Sequence, residues 1–146
     1  MTIYFYRERD KPYGCFSNFS KHSFELDGQP WQTVEHYFQA MKFAGTPRAY
    51  EIQFAKAPME AKVMGNDRAY PIRDDWEQVK DDLMRRAVLA KFQTHADIRE
   101  ILLSTGSEEL VEDAPNDYYR GCGKERTGKN MLGKILMETR EKLRRE

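Results

Sequence analysis

Apolar residues recur at Val34, Tyr37, Phe38 and Met41, the i, i+3, i+4, i+7 spacing of one helix face. Glu35, Gln39 and Lys42 keep a similar spacing on a flank roughly 100° away. This pattern admits two readings. In one, the polar row is an ordinary solvated face. In the other, a carboxylate, an amide and an amine stand one turn apart as chemical groups beside a buried stripe.

The rest of the chain parses by the same periodicities. Residues 2–6 are β-branched and aromatic and predict a first strand. Pro12 and Gly14 mark a loop, followed by the short stretch Cys15-Phe16-Ser17-Asn18-Phe19. Asp27-Gly28 between residues 24–26 and 29–33 predicts a hairpin. Thr33 then caps the helix that begins at Val34 and ends near Gly45, with Thr46-Pro47 beyond it. Residues 48–55 and 58–64 read as two short helices, Pro58 taking an early position where a missing N–H costs nothing. Asp74 or Asp75 caps a longer helix to about Phe92, with Trp76, Val79, Leu83, Ala87 and Ala90 on its period. Residues 96–103 form another helix, 109–112 a short strand and 114–127 a loop. A final helix runs from 129 to about 144, with Leu132, Ile135, Leu136 and Leu143 inward. The sum is an α+β fold, predominantly helical with a few short strands, in one domain covering 1–146.

Composition narrows the function classes. Lys plus Arg equals Asp plus Glu at 24 each, and the pI is about 6.8. A long basic track for nucleic acid is not supported, although a local patch remains open. Mean hydropathy is −0.83, and no apolar run approaches the length of a membrane span. The N-terminus has no signal-peptide pattern, so a cytoplasmic protein without membrane association is expected. Cys15 and Cys122 are too few for a disulfide framework and read as inert thiols in a reducing compartment. The three histidines lack metal-ligand spacing, and neither metal nor cofactor is expected.

Three further constellations hold candidate chemistry. Gly123 to Asn130 (GKERTGKN) nearly matches GxxxxGK[ST] but ends in Asn130 where a magnesium-holding hydroxyl belongs. No apolar strand precedes it, so a nucleotide-hydrolysing P-loop is rejected. A glycine-rich loop entering a helix still offers N–H groups and a positive dipole end to a phosphate, with Lys124, Arg126 and Lys129 adding charge. The alternative is an ordinary loop with a capped helix. In Leu110–Asp117 (LVEDAPND), Glu112, Asp113 and Asp117 follow a strand, either as site groups or as turn formers. Finally, Ser17 and Asn18, set between Phe16 and Phe19, have the chemistry to bond a ribose or a base. Trp76, at the start of its helix, is either a core residue or a stacking surface.

The stretches WQTVEHYFQAMKF, CFSNF and LVEDAPND…GCG…GKNMLGKILMETR, agreeing in order and spacing, resemble the NADAR (YbiA-like) family over about residues 5–140. The resemblance implies a single YbiA-like domain with N-glycosidase activity, cleaving a bond between a ribosyl carbon and a nitrogen. Implied substrates are ADP-ribose on the guanine amino group, in DNA or nucleotides, or phosphoribosylated intermediates of riboflavin synthesis. In the first case an ADP-ribosyltransferase toxin is an implied functional partner. A non-enzymatic ADP-ribose or NAD-binding module is the reading from another class.

The resemblance raises Glu112, Asp117 and Trp76 as site residues. For the chemistry itself, Glu35 is the first choice as acid/base. Lys42 serves either as an amine that exchanges with a ring-opened imine or as a phosphate-binding cation. Asp117 stands with them as a catalytic candidate. Phe16, Ser17, Asn18, Phe19, Gln39, Trp76, Glu112, Arg120, Gly121, Gly123, Lys129 and Asn130 are the expected substrate contacts, with Asp113 weaker. Arg120 is a departure: relatives place Trp just before the GxG of this loop.

Overall fold

Asp27 and Gly28 sit at φ of 55° and 76°, the two left-handed residues of a tight hairpin turn. They join β2 (Phe24–Leu26) to β3 (Gln29–Trp31) in an antiparallel pair, with Phe24 opposite Trp31. Thr33 follows in extended conformation and its hydroxyl accepts from the His36 N–H, capping α1 (Val34–Met41). The structure, a computed structural model, describes residues 1–123 and 128–146. The remaining elements are β1 (Thr2–Phe5), α2 (Pro47–Gln53), α3 (Pro58–Gly65), α4 (Trp76–Thr94), α5 (Ala96–Ser104), β4 (Glu109–Glu112) and α6 (Met131–Arg145). A 3-10 turn covers Tyr13–Phe16. The fold is α+β and mostly helical, as the periodicities predict, and its packing resolves into two units.

The unit of residues 21–91 holds the hairpin, α1, α2, α3 and most of α4. Here α1 packs on α2, α3 and β3. Side-chain amides fasten the segments. Gln32 donates to the carbonyls of Gln53 and Ala55, and Gln53 donates to that of Pro30. The second unit, Met1–Ser20 with Phe92–Glu146, is built on a parallel pair of β1 and β4, running from Thr2 opposite Glu109 to Phe5 opposite Glu112. A parallel pair needs a long crossover, and here 103 residues separate the strands. Helix α6 packs on β4 and α5. Its inward residues Leu132, Ile135 and Leu136 are fully buried, each worth about 1.5–3 kcal/mol of removal from water. Phe16 sits edge-on to Phe5 at 5.6 Å and closes this core.

Two expectations change. The inward face of α4 is Trp76, Met84, Ala87, Val88 and Phe92, while Val79, Leu83 and Ala90 are only half-buried. And α1 ends at Met41 rather than near Gly45, because 3-10-type bonds from Lys42 N–H to Gln39 and from Phe43 N–H to Ala40 tighten its last turn. Among the described residues, no helix is long and apolar enough to cross a membrane.

Candidate active site

Helix α1 is buried all round. Val34, Tyr37 and Phe38 are inward as the stripe predicts, but Glu35 and His36 are 0% exposed, Gln39 is 2% and Lys42 is 7%. The solvated-face reading of the polar row is therefore overturned. Polar groups pushed into a core must be bonded or they cost several kcal/mol. Accordingly, Gln39 Nε2 donates to Glu35 Oε2 at 2.7 Å. Lys42 Nζ donates to the Gly65 carbonyl and to Asn66 Oδ1, both at 3.2 Å. The row thus ends on the C-terminus of α3, where orphan carbonyls favour a cation. Arg48 donates to the neighbouring Met64 carbonyl and lies over the Tyr70 ring at 3.8 Å.

The end of α1 that carries Lys42 is clamped from its other side. Arg73 N–H donates to the Lys42 carbonyl at 2.9 Å and its guanidinium to that of Met41. A two-point bond from Arg73 holds the Asp75 carboxyl below its ordinary range. At the N-terminal end, His36 places Nε2 on the Ala55 carbonyl at 3.0 Å and Nδ1 on Thr33 Oγ1 at 2.8 Å. Burial pushes His36 below the usual histidine range, opposed by the Ala55 bond and the Glu35 charge. The neutral ring, with its proton on Nε2, suits this site. Burial also raises the Tyr37 phenol, whose hydroxyl has no partner among the described residues.

Trp76 shares this unit. It is 7% exposed and meets Phe38 at 5.0 Å with rings inclined at 63°. The open stacking face expected at the start of its helix is not present.

The predicted tail-loop residues are knit together by main-chain bonds in the other unit. Asp117 Oδ1 accepts the N–H groups of Tyr119 and Arg120, at 3.0 and 2.8 Å. That turn aims the carbonyls of Tyr118, Tyr119, Arg120 and Gly121 at the start of α6. They accept the N–H groups of Lys129, Met131, Leu132 and Asn130, respectively. The expectation of free N–H groups for a phosphate is thereby corrected for these four positions: the loop caps the helix with its own carbonyls. Lys124 and Arg126, the other charges invoked there, lie outside the described residues. Lys129 is exposed, its ammonium 5.6 Å from the Tyr119 ring centre.

Asn130 adopts φ 52° and ψ 46° and spends both amide atoms on β4. Its Nδ2 donates to the Leu110 carbonyl and its Oδ1 accepts from the Glu112 N–H. A structural clamp replaces the predicted substrate contact. Gly123, at φ 72°, lies where a Cβ would run into the Tyr118 ring, and a Cβ on Gly121 would press on the Glu112 carbonyl. Glu112 and Arg120 are half-buried beside them. Cys122 is buried, with Sγ 3.4 Å from Asp113 Oδ1.

In the same unit Phe16 is core, packed with Phe5, Tyr13 and Phe92. Ser17 and Asn18 are buried and Phe19 is half-buried, with Ser17 Oγ accepting from the Phe19 N–H. An open pocket of about 210 Å³ has Tyr4, Tyr6, Asp10, Lys11, Tyr13 and Asp113 among its lining. Of the predicted site residues it takes in Asp113 alone. Among the described residues there is no cluster of three metal-ligating side chains.

Sequence reasoning missed Gly65, Asn66 and Arg73, which hold the Lys42 end of the α1 row. Gly65-Asn66 carries only the signal of a helix end.

The NADAR domain model matches residues 4–144. An N-glycosidase of Nostoc punctiforme is 52% identical, covering 99% of this chain and 94% of its own. N-glycosidase YbiA of Escherichia coli is 48% identical over 97% of this chain and 88% of its own. The solution structure of Escherichia coli YbiA superposes with a TM-score of 0.91 at 47% identity, over 99% of this chain and 85% of that one. A chloroplastic riboflavin biosynthesis protein, PYRR of Zea mays, is 42% identical over 97% of this chain, which spans a quarter of its length.

Proposed function

The chain belongs to the NADAR family, and on that premise we propose that this hydrolase of N-glycosyl bonds cleaves ADP-ribose from the guanine amino group in DNA or nucleotides. The observation that carries the reading is the buried row of Glu35, Gln39 and Lys42. Recognising a phosphorylated anion does not call for a carboxylate removed from water, whereas a glycosyl transfer does.

As the C1′–N bond breaks, its electron pair leaves with nitrogen and C1′ gathers positive charge. The Glu35 carboxylate stabilises that charge and takes a proton from the attacking water. The water oxygen joins C1′, and the proton passes to the departing amine. Gln39 holds one oxygen of Glu35 and so orients the group. An exocyclic amine also opens a second route. The ribose ring opens to a C1′=N imine, the neutral Lys42 amine displaces the base nitrogen, and water hydrolyses the new imine. This route uses Lys42 as the neutral amine, its Nζ placed by the Gly65 carbonyl and Asn66 Oδ1. Asp117 and Asn130 shape the loop, and Arg120 stands where relatives place a stacking Trp.

A second substrate reading is favoured by the name of the Zea mays relative: phosphoribosylated intermediates of riboflavin biosynthesis. The same row serves both substrates. If guanine adducts are the substrate, an ADP-ribosyltransferase toxin is the fitting functional partner.

The experiment offers guanine-ADP-ribosylated oligonucleotide and phosphoribosylaminopyrimidine in parallel and follows released sugar phosphate by mass spectrometry. Glu35→Gln is expected to lose about 100-fold or more in kcat while still binding substrate. Unchanged turnover would remove Glu35 from the chemistry, and binding without turnover of either substrate by the wild type would favour a non-enzymatic ADP-ribose-binding module. Borohydride during turnover traps Lys42 only if the imine route operates.

A further inference from the structure

The C-terminal corner of α3 touches two members of the α1 row at once. Gly65 packs so closely on Gln39 that a Cβ there would lie 2.7 Å from Gln39 Cδ, and closer still to its amide oxygen. That oxygen is buried and has no hydrogen-bond donor among the described residues. Rotating the amide would give it no donor and would turn oxygen toward oxygen at Glu35. Its orientation is therefore imposed by the carboxylate, and the cost is an unbonded carbonyl turned to the one residue type without a side chain. Beside it, the Gly65 carbonyl and Asn66 Oδ1 together receive the Lys42 ammonium. Asn66 is itself fixed, since its Nδ2 donates to the Lys62 carbonyl at 2.9 Å.

We infer that the Gly65-Asn66 corner is the positioning element of the reaction, with Gly65 setting the Gln39 amide that aims Glu35 and Asn66 holding the Lys42 amine in register. This rests on the assignment of Glu35 and Lys42 as the reacting groups. Neither Gly65 nor Asn66 is placed as a catalytic residue; each acts through the side chain it orients. A misplacement of about 1 Å at a reacting group is enough to cost on the order of 100-fold in rate.

The test measures kcat, KM and melting temperature from about pH 5 to 10. It uses wild type, Gly65→Ala, Asn66→Ala and Asn66→Asp, with Glu35→Gln and Lys42→Ala as controls, on whichever of the two substrates wild type turns over. Gly65→Ala and Asn66→Ala are expected to lower kcat about 10- to 100-fold with KM within about threefold. Asn66→Asp keeps an oxygen for Lys42 and is expected to recover most of that loss. Because a carboxylate favours the ammonium, it also moves the Lys42 limb of the pH profile upward. Wild-type kcat and an unshifted profile in Asn66→Ala and Asn66→Asp overturn the positioning corner, whether or not Gly65→Ala folds. Wild-type turnover in Glu35→Gln and Lys42→Ala overturns the catalytic row itself, and this inference with it.

Discussion

Helix α1 and the loop from Glu112 to Asn130 both carry carboxylates and amides at spacings that suggest a ligand, yet the structure uses those groups in opposite ways. In α1 the polar side chains are bonded largely to one another and to the end of a neighbouring helix, with Glu35 and Gln39 side chain to side chain. In the loop, Asp117 and Asn130 are bonded to the main chain. Asp117 holds two N–H groups, and Asn130 holds one N–H and one carbonyl. A polar group that serves the backbone makes shape, and an apolar core has little other use for it. A buried carboxylate served by a buried amide makes no shape that leucine could not make better, so its presence there points to chemistry. The contrast separates two sets of residues that look alike in sequence.

The widest test of that contrast is Asn130→Ala. It strands the Leu110 carbonyl and the Glu112 N–H, and it places alanine in a left-handed conformation. Together these cost about 3 kcal/mol or more, a large share of the stability of a domain this size. Denaturant unfolding should show the loss directly, while kcat per folded molecule stays close to wild type. A folded Asn130→Ala protein as inactive as Glu35→Gln would erase the distinction between the two regions.

A smaller effect sharpens the α1 side. Burial lowers the folded-state pKa of His36 below its ordinary 6.5. The unfolded chain therefore takes up the proton first as pH falls, so His36 stabilises the fold fully above about pH 6.5 and progressively less below it. The melting temperature of the wild type should drop between about pH 7 and 5 by more than that of His36→Gln, which cannot titrate. Parallel pH curves would mean that the neutral ring between Thr33 and Ala55 carries no linkage.

What the sequence made legible was local. Asp27-Gly28 announced its turn, Thr33 its cap, Pro58 its helix start, and Leu132, Ile135 and Leu136 their inward face. The positions of Glu35, Gln39 and Lys42 on one flank followed from helix geometry alone. Their burial did not, because it depends on α2 and α3 closing around α1, and no period within α1 records that. The role of Gly65 is invisible for the same reason: the group it makes room for is 26 residues away in the chain. The pairing of β1 with β4 and the capping of α6 by loop carbonyls are likewise long-range or irregular main-chain bonds, outside the reach of propensity. The glycine-rich motif registers glycines and a helix start, but not that loop carbonyls take the N–H groups of residues 129–132.

The finest cut between the two regions falls on Asp117, a carboxylate that the resemblance to the family raised as a site residue. In the structure one of its oxygens makes the turn by accepting two N–H groups. Asparagine offers the same oxygen in the same place but no charge. Asp117→Asn should therefore keep the melting temperature within a few degrees and kcat within about threefold, since the two turn bonds survive. The same isosteric change at Glu35 removes the base and should cost about 100-fold or more. The paired measurement is informative because both substitutions delete one negative charge and one acceptor oxygen, leaving side-chain volume nearly unchanged. If Asp117→Asn instead matches Glu35→Gln in lost turnover while remaining folded, then its charge, not its turn, is what the reaction uses, and the loop joins α1 as part of the chemistry.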